Sequence, residues 1–374
     1  MTTSAIPRAP ENQTLVLDEQ LRAVDAMMRT AALGGPTVLG VADETGTSIL
    51  GAIAADALSV PGKRLRARLA LEGSAALSSP ASPVDARPWA AAVELVHNAS
   101  LVHDDLQDGD RMRRGRPSTW AVYGAAQAIN AGDLLLTVPY RLIGRCDVGG
   151  EVRWLLVDAL ARAVEQMARG QADEPGLRAG LGASEAATKD KQAAWLACAR
   201  MKTGALLGVP VEGAALLAGL SASQAHSLAR PFARAGELFQ LVDDVIDAFG
   251  DKGRDCRGCD LDEGKVSSLV LAHLARHPKD APWLLAVLDA PRGQTSARDI
   301  DEAIARFDGG GALNDVLDHI ARLADSVRSA PMLASEPRLA CVAADLVSRV
   351  LAPLQQLART QLTWDQAALG RRVS

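Results

Sequence analysis

Aromatic side chains are scarce: Phe, Trp and Tyr together make up 3% of the 374 residues. So few rings cannot fill an interior, yet 48% of the chain is hydrophobic. Ala, Leu and Val must supply the core, which favours closely packed helices over a sheet. Alternation of apolar and polar residues, the mark of a half-buried strand, is missing at any useful length. Short-period repeats are missing too. No apolar run reaches the ~18 residues of a spanning helix, so no membrane span is expected. Met1 to Gln13 has no charged start followed by an apolar core, so no signal peptide is expected. Positive charge is not in excess. The net charge is −5, which argues against nucleic acid as a partner. Any anion site must therefore be local. Five cysteines, an odd number in a long chain, read as reduced thiols in a cytoplasmic setting.

What is present is a pair of aspartate clusters of one form. Asp104-Asp105-Leu106-Gln107-Asp108 and Asp243-Asp244-Val245-Ile246-Asp247 lie roughly 140 residues apart. Each follows an apolar pair, Leu101-Val102 and Leu241-Val242. On a helix, residues i and i+4 share a face, so Asp104 stacks with Asp108 and Asp243 with Asp247. One such cluster alone reads equally well as a solvated helix face. Two copies, each with basic residues downstream, point to chemistry. Stacked carboxylates near a core repel one another unless a cation neutralises them. Mg²⁺ suits that role because it takes a few carboxylates and completes its shell with phosphate oxygens. Asp104, Asp105, Asp108, Asp243, Asp244 and Asp247 are thus the candidate ligands of a metal-bridged diphosphate site.

Cations follow. Arg113, Arg114 and Arg116 come after the first cluster, with Gly115 and Pro117 turning the chain. Guanidinium forks match phosphate oxygens and stay charged at any working pH. Lys63, Arg64 and Arg66 open a helical stretch, and helix N-termini attract anions. An isolated Lys-Arg-x-Arg is usually a solvated patch; here it reads as a second phosphate grip.

Helical periodicity begins near Leu15, after a flexible tail over 1–12. Breaks are expected at Gly34-Gly35-Pro36, over 78–83 and 172–187, near Pro291 and at Gly309-Gly310-Gly311. A long buried helix should run from Trp89 to Asp108, with Pro88 in its first turn. Another should follow Gly132-Asp133, and a third should run from Leu228 to Asp247, with Pro231 kinking it or marking its start.

Taken in order, several stretches resemble one family. They are Gly62-Lys63-Arg64-Leu65-Arg66, the run Glu94 to Asp108 with Arg113 to Pro117, Met201-Lys202-Thr203-Gly204, Leu238 to Asp251, and Asp260 to Lys265. The resemblance is to the all-trans isoprenyl diphosphate synthases, the polyprenyl synthetase family, and covers about residues 45 to 350. It implies an all-α fold, a single large helical bundle over 13–374 with a central cavity. It implies an Mg²⁺-dependent prenyltransferase, with three ions once diphosphate is bound, and a homodimer. Isopentenyl diphosphate would be held by Lys63, Arg66, His97 and Arg114, and the allylic diphosphate by Arg113, Lys202 and Lys265. The allylic partner would be a dimethylallyl, geranyl or farnesyl diphosphate. Thr203 and Gln240 would aim oxygen dipoles at the allylic cation. Val96, Ala99 and Ser100, one to two turns before Asp104, would line the tunnel for the growing chain. Relatives that stop at fifteen carbons carry bulky aromatics at this level. Small residues here imply twenty carbons or more, with geranylgeranyl diphosphate the first choice. The tunnel floor would lie on other helices, near Leu136 and Tyr140.

Two positions depart from the family. The Gly-Lys pair usual after Gly250-Asp251 is replaced by a stretch in which Arg254 or Arg257 would substitute. Ala67 stands where a proline is usual. Cys256 and Cys259 form a CxxC without a second ligand pair, so two incidental thiols are expected there. His103 is expected to pack or to partner an aspartate. A class I terpene cyclase would lack the basic grip and the second aspartate cluster. A non-catalytic subunit of a hetero-oligomeric synthase would have lost aspartates. This chain keeps all of these features.

Overall fold

The computed structural model describes residues 11–34, 48–60, 62–79, 84–181, 184–250 and 257–360. Its described residues are almost entirely helical, as the all-α expectation requires. They fall into two compact units. One holds the described residues up to Arg162 with Val209–Ser227; the other holds Ala163–Gly208 with the described residues from Leu228.

The first unit is built on α4, because α4 is buried on nearly every side. Helices α1 (Glu11–Leu33), α2 (Ile49–Ala57) and α3 (Leu65–Leu77) precede α4 (Arg87–Gln107). Trp89 to Val93, Leu95, Val96 and Ala99 on α4 are fully buried. Helices α1 and α3 pack on it, as does α6 (Ala125–Ile143), which follows the short α5 (Thr119–Tyr123). Alanines and glycines let these backbones come close. Gly132, expected before a helix, lies inside α6, where the ring of His103 leaves no room for a Cβ. Trp89 Nε1 donates to the Pro210 carbonyl (3.0 Å), tying α4 to the unit's stretch of a later helix.

Between α4 and α5 the chain makes the one strand pair among the described residues, which the sequence pattern did not foreshadow. Strands β1 (Met112–Arg113) and β2 (Arg116–Pro117) pair antiparallel, with Arg113 opposite Arg116. The two linking residues have positive φ, 50° at Arg114 and 77° at Gly115. A two-residue hairpin turn whose twist matches its strands demands that conformation at both positions. Glycine adopts it freely, whereas Arg114 is held there against its preference.

The second unit begins within α7 (Gly150–Asp173). A 3₁₀ turn (Glu174–Arg178), α8 (Glu185–Ala199) and a π turn (Arg200–Gly204) follow, then α9 (Ala205–Leu217) and α10 (Ala222–Phe249). Pro231 is inside α10, not at its start. Downstream come α11 (Cys259–Asp262), α12 (Ser268–Arg276), α13 (Ala281–Asp289), α14 (Ala297–Gly309), α15 (Ala312–Arg328) and α16 (Pro337–Thr360). Helix α12 is buried from Ser268 to Leu274 and packs on α8 and α15.

One cysteine reading is corrected. Cys146, Cys198 and Cys341 are free thiols, but Cys259 is disulfide-bonded. Oddness of count does not exclude one disulfide. Residues 1–10 of the expected tail, Arg254 and Cys256 lie outside the described residues.

Candidate active site

In the first unit, candidate site residues sit at the C-terminal end of α4. Asp104 and Asp108 are half-buried on one helix face, while Asp105 turns inward and is buried. Arg113 on β1 donates from Nε to Asp105 Oδ1 at 2.6 Å. Burial pushes the Asp105 carboxyl above its ordinary range, and the Arg113 hydrogen bond opposes the shift. Asp105 therefore fixes the hairpin and Arg113 with it, leaving its neighbours one face of α4. Trp120 Nε1 donates to the Asp110 carbonyl (2.8 Å), and Arg111 lies over the Trp120 ring, 5.1 Å from its centre. These contacts anchor the base of the hairpin.

The hairpin meets the other basic segment at a glycine. A Cβ on Gly62 would sit 2.6 Å from Nη1 of Arg114, so the guanidinium lies directly over the backbone there. Arg64, also at positive φ (49°), caps the start of α3. Lys63 is exposed, and Arg66 enters the first turn of α3. Burial and the charge of Arg114 lower the Arg66 pKa to about 10, with Glu94 opposing. His97, on α4, is held neutral: burial and then the charges of Arg66, Arg114, Arg113 and Arg64 push its pKa well below the ordinary imidazole value. Arg66 Nε and His97 Nδ1 are buried with no hydrogen-bond partner among the described residues. Arg66, His97 and Arg114 thus lie together, with two unsatisfied polar atoms among them, while Lys63 stays exposed at the start of the same segment.

Farther back on α4, Val96 and Ala99 are fully buried and Ser100 is half-buried. Ser100 Oγ donates to the His97 carbonyl at 2.8 Å, which turns the hydroxyl onto its own helix. Tyr140, a candidate for the tunnel floor, is 37% exposed on α6. His103 reaches across to the Ile129 carbonyl (3.4 Å) and Asp133 (3.7 Å), the packing role expected of it.

In the second unit, candidate site residues lie on α10 and the π turn. A Cβ on Gly236 would clash with the Gly204 backbone, and one on Gly204 with the Ala233 carbonyl, so neither position can carry one. Arg200 Nε donates to buried Glu237 Oε1 at 2.6 Å, pinning the turn to α10. The extra residue of a π turn re-aims the side chains around it. Here those are Lys202 and Thr203, both half-buried. Lys202 Nζ donates to Glu174 Oε2 at 2.8 Å.

The three aspartates of α10 differ. Asp243 is half-buried. Asp244 is buried, accepts the Ser268 N–H at 2.6 Å, and is joined by Gln240 Nε2 at 3.2 Å. Burial, then the charge of Asp260, pushes its pKa up to about 8. Asp247 is buried and accepts the Asp260 N–H at 3.0 Å. Asp244 and Asp247 thus hold the starts of α12 and α11. Between those helices lies Lys265, paired with Glu263 at 2.8 Å. Arg257, one of the two substitutes for the family's lysine, donates from Nε to the Ala248 carbonyl (2.6 Å).

Sequence reasoning missed Glu94, Glu174 and Glu237. Each carries charge where its helix should be apolar or loop-like. A buried acid one turn before His97 was the signal available for Glu94.

The carboxylate groups suit Mg²⁺ in donor chemistry. Among the described residues no three His, Cys, Asp or Glu side chains converge into a closed protein cage. Mg²⁺ does not need one, because it is held by one or two carboxylates, waters and substrate phosphates.

The polyprenyl synthetase family model matches residues 47–307. A geranylgeranyl diphosphate synthase of Mycobacterium tuberculosis is 36% identical over 284 residues, covering 73% of this chain and 78% of that relative. A (2E,6E)-farnesyl diphosphate synthase of Mycobacterium bovis is 40% identical over 186 residues, 49% of this chain and 48% of the relative. The crystal structure of a decaprenyl diphosphate synthase from Rhodobacter capsulatus superposes with a TM-score of 0.74. It is 25% identical and covers 92% of this chain and 99% of that one.

Proposed function

The chain belongs to the polyprenyl synthetase family, and on that premise we propose that it condenses isopentenyl diphosphate with an allylic diphosphate to give an all-trans prenyl diphosphate. The observation that carries this reading is the cationic nest of Arg66 and Arg114, with Lys63 in the same basic segment, in one compact unit with the half-buried Asp104 and Asp108. A nest of that kind suits one diphosphate, and a carboxylate pair suits the metal complex of another.

Asp104, Asp108 and Asp243 would hold Mg²⁺, which supplies charge to neutralise the departing diphosphate. The leaving group carries about three negative charges, so cations fixed in advance speed its departure. Arg113, held by Asp105, and Lys202, on the π turn, add such charge. Lys202 would exchange Glu174 for the diphosphate. Thr203 and Gln240 would turn oxygen dipoles toward the allylic cation; Gln240 spends its N–H on Asp244, which orients the amide. Lys63, Arg66, His97 and Arg114 would hold isopentenyl diphosphate while its double bond attacks. Asp105, Asp244 and Asp247 serve this arrangement by anchoring the segments around it.

The purified chain should elongate dimethylallyl, geranyl or farnesyl diphosphate with isopentenyl diphosphate in Mg²⁺, and stop in excess chelator. Chain-length analysis of the products reads the result. Undiminished turnover in chelator would sink the metal assignment.

The product has twenty carbons or more in this reading, on the support of small residues at Ala99 and Ser100. Family membership supports elongation over the cyclase alternative. No described helix is long and apolar enough to cross a membrane. An exposed free thiol at Cys341 supports a cytoplasmic setting, although the Cys259 disulfide pulls the other way.

Assembly is part of the same proposal. Ile129 and Tyr140 stand three turns apart on one face of α6, 47% and 37% exposed. Trp154 on α7 is 67% exposed. Large apolar side chains left in water on adjoining helices support a two-fold homodimer that covers them. Sedimentation should give a dimer; a monomer across micromolar concentrations would refute it.

A further inference from the structure

A buried carboxylate stands behind the cationic nest, and no step of the condensation uses it. Glu94 is 2% exposed on α4, one turn before His97. Its Oε2 accepts the Ala67 N–H at 3.0 Å, within the first turn of α3. Its Oε1 is 3.8 Å from Nη1 of Arg64, which in turn pairs with Asp25 at 2.7 Å. Arg64 also donates to the Leu58 carbonyl at 3.4 Å.

The position is odd for an acid. A carboxylate beside a diphosphate site repels the ligand the site is built to hold. A buried charge also costs free energy unless it is paired. Glu94 resolves the conflict by facing backward. It takes up an N–H that the start of α3 leaves unbonded, and the charge of the cap residue Arg64. Both contacts act on the chain that carries Lys63 and Arg66. The same negative charge raises the pKa of Arg66 and of Arg114, so it steadies guanidinium groups that repel each other. Without it, like charges would spread the nest apart before any ligand arrived.

The geometry points to Glu94 as the positioning residue of the isopentenyl diphosphate grip: it clamps the start of α3 so that Lys63, Arg66 and Arg114 are aligned before the substrate binds. This inference rests on the function proposed above.

Two variants test it. Glu94→Ala removes both contacts, whereas Glu94→Gln keeps an acceptor for the Ala67 N–H and loses the charge. Glu94→Ala should raise the KM for isopentenyl diphosphate about tenfold, as expected for a lost bond to a charged group. Glu94→Gln should raise it about threefold, because one of the two contacts survives. The KM for the allylic substrate and kcat at saturation should stay within about twofold, since Asp104, Asp243 and Lys202 are untouched. Equal rises in both KM values would mean general loosening and would overturn the role. A lower KM for isopentenyl diphosphate would overturn it too, by showing that Glu94 acts only as a repelling charge. If the wild type condensed nothing, the proposed function would fail on its own. Calorimetric binding of isopentenyl diphosphate to wild type and Glu94→Gln would then decide the role of Glu94: weaker binding by the variant supports it, and equal binding or none to either protein refutes it.

Discussion

Asp104→Ala or Asp243→Ala lowers kcat by about 10²–10³-fold, the loss expected when one preorganised group that stabilises developing charge is removed. Both carboxylates are half-buried, whereas Asp105 and Asp244 are buried and anchor neighbouring segments. Their task is to hold cations against a leaving group whose charge grows toward the transition state. Such an interaction is stronger there than in the ground state, so its loss appears in kcat. Lys63→Ala and Arg66→Ala act differently. They hold a diphosphate that stays intact through the condensation, so they should mainly raise the KM for isopentenyl diphosphate. Steady-state kinetics with each substrate varied separately distinguishes the two patterns. A matching signature for both sets would contradict this division of roles.

Much of this division was legible in the sequence because it depends on spacing. The i, i+4 period puts Asp104 with Asp108 wherever a helix forms, and the neighbouring Leu101 and Val102 say that one forms. A turn at Gly115 was legible as well, but the strand pair around it and the positive φ of Arg114 were not. What spacing does not reveal is direction. Asp105 and Asp244 look like their neighbours in the sequence, yet both are buried and bonded to Arg113 and Ser268. Which carboxylate turns inward depends on segments 8 and 24 residues away. The same holds for Gly132. As a helix breaker it argued for a boundary; tertiary contact with His103 made it a helix-interior residue. The π turn at Arg200–Gly204 packs closely on α10 at Ala233 and Gly236, a tertiary contact that no local pattern announces.

Chain length gives the other large effect. Ala99→Phe is expected to shift the main product toward fifteen carbons, with the first condensation near the wild-type rate. Ala99 is fully buried on α4 and precedes Asp104 by five residues, about 7.5 Å along the helix axis. A prenyl chain growing away from the metal ligands along α4 would pass this level after its first additions. A phenyl ring there occupies the space that later isoprene units need. An interior packed as closely as this one does not absorb the added volume without cost, about 1–3 kcal/mol in stability. The early steps need only the upper part of the tunnel and the diphosphate grips, which the ring does not reach. Ser100→Phe, at a half-buried position next along the helix, is the companion test, because it adds the same ring with less overpacking. Product analysis by chain length, with a melting curve for each variant, separates a blocked tunnel from a damaged fold. If both variants stay folded and make the wild-type product at normal speed, neither side chain lines the tunnel. The inference of twenty carbons or more then loses its support, since it rests on the smallness of these two residues alone.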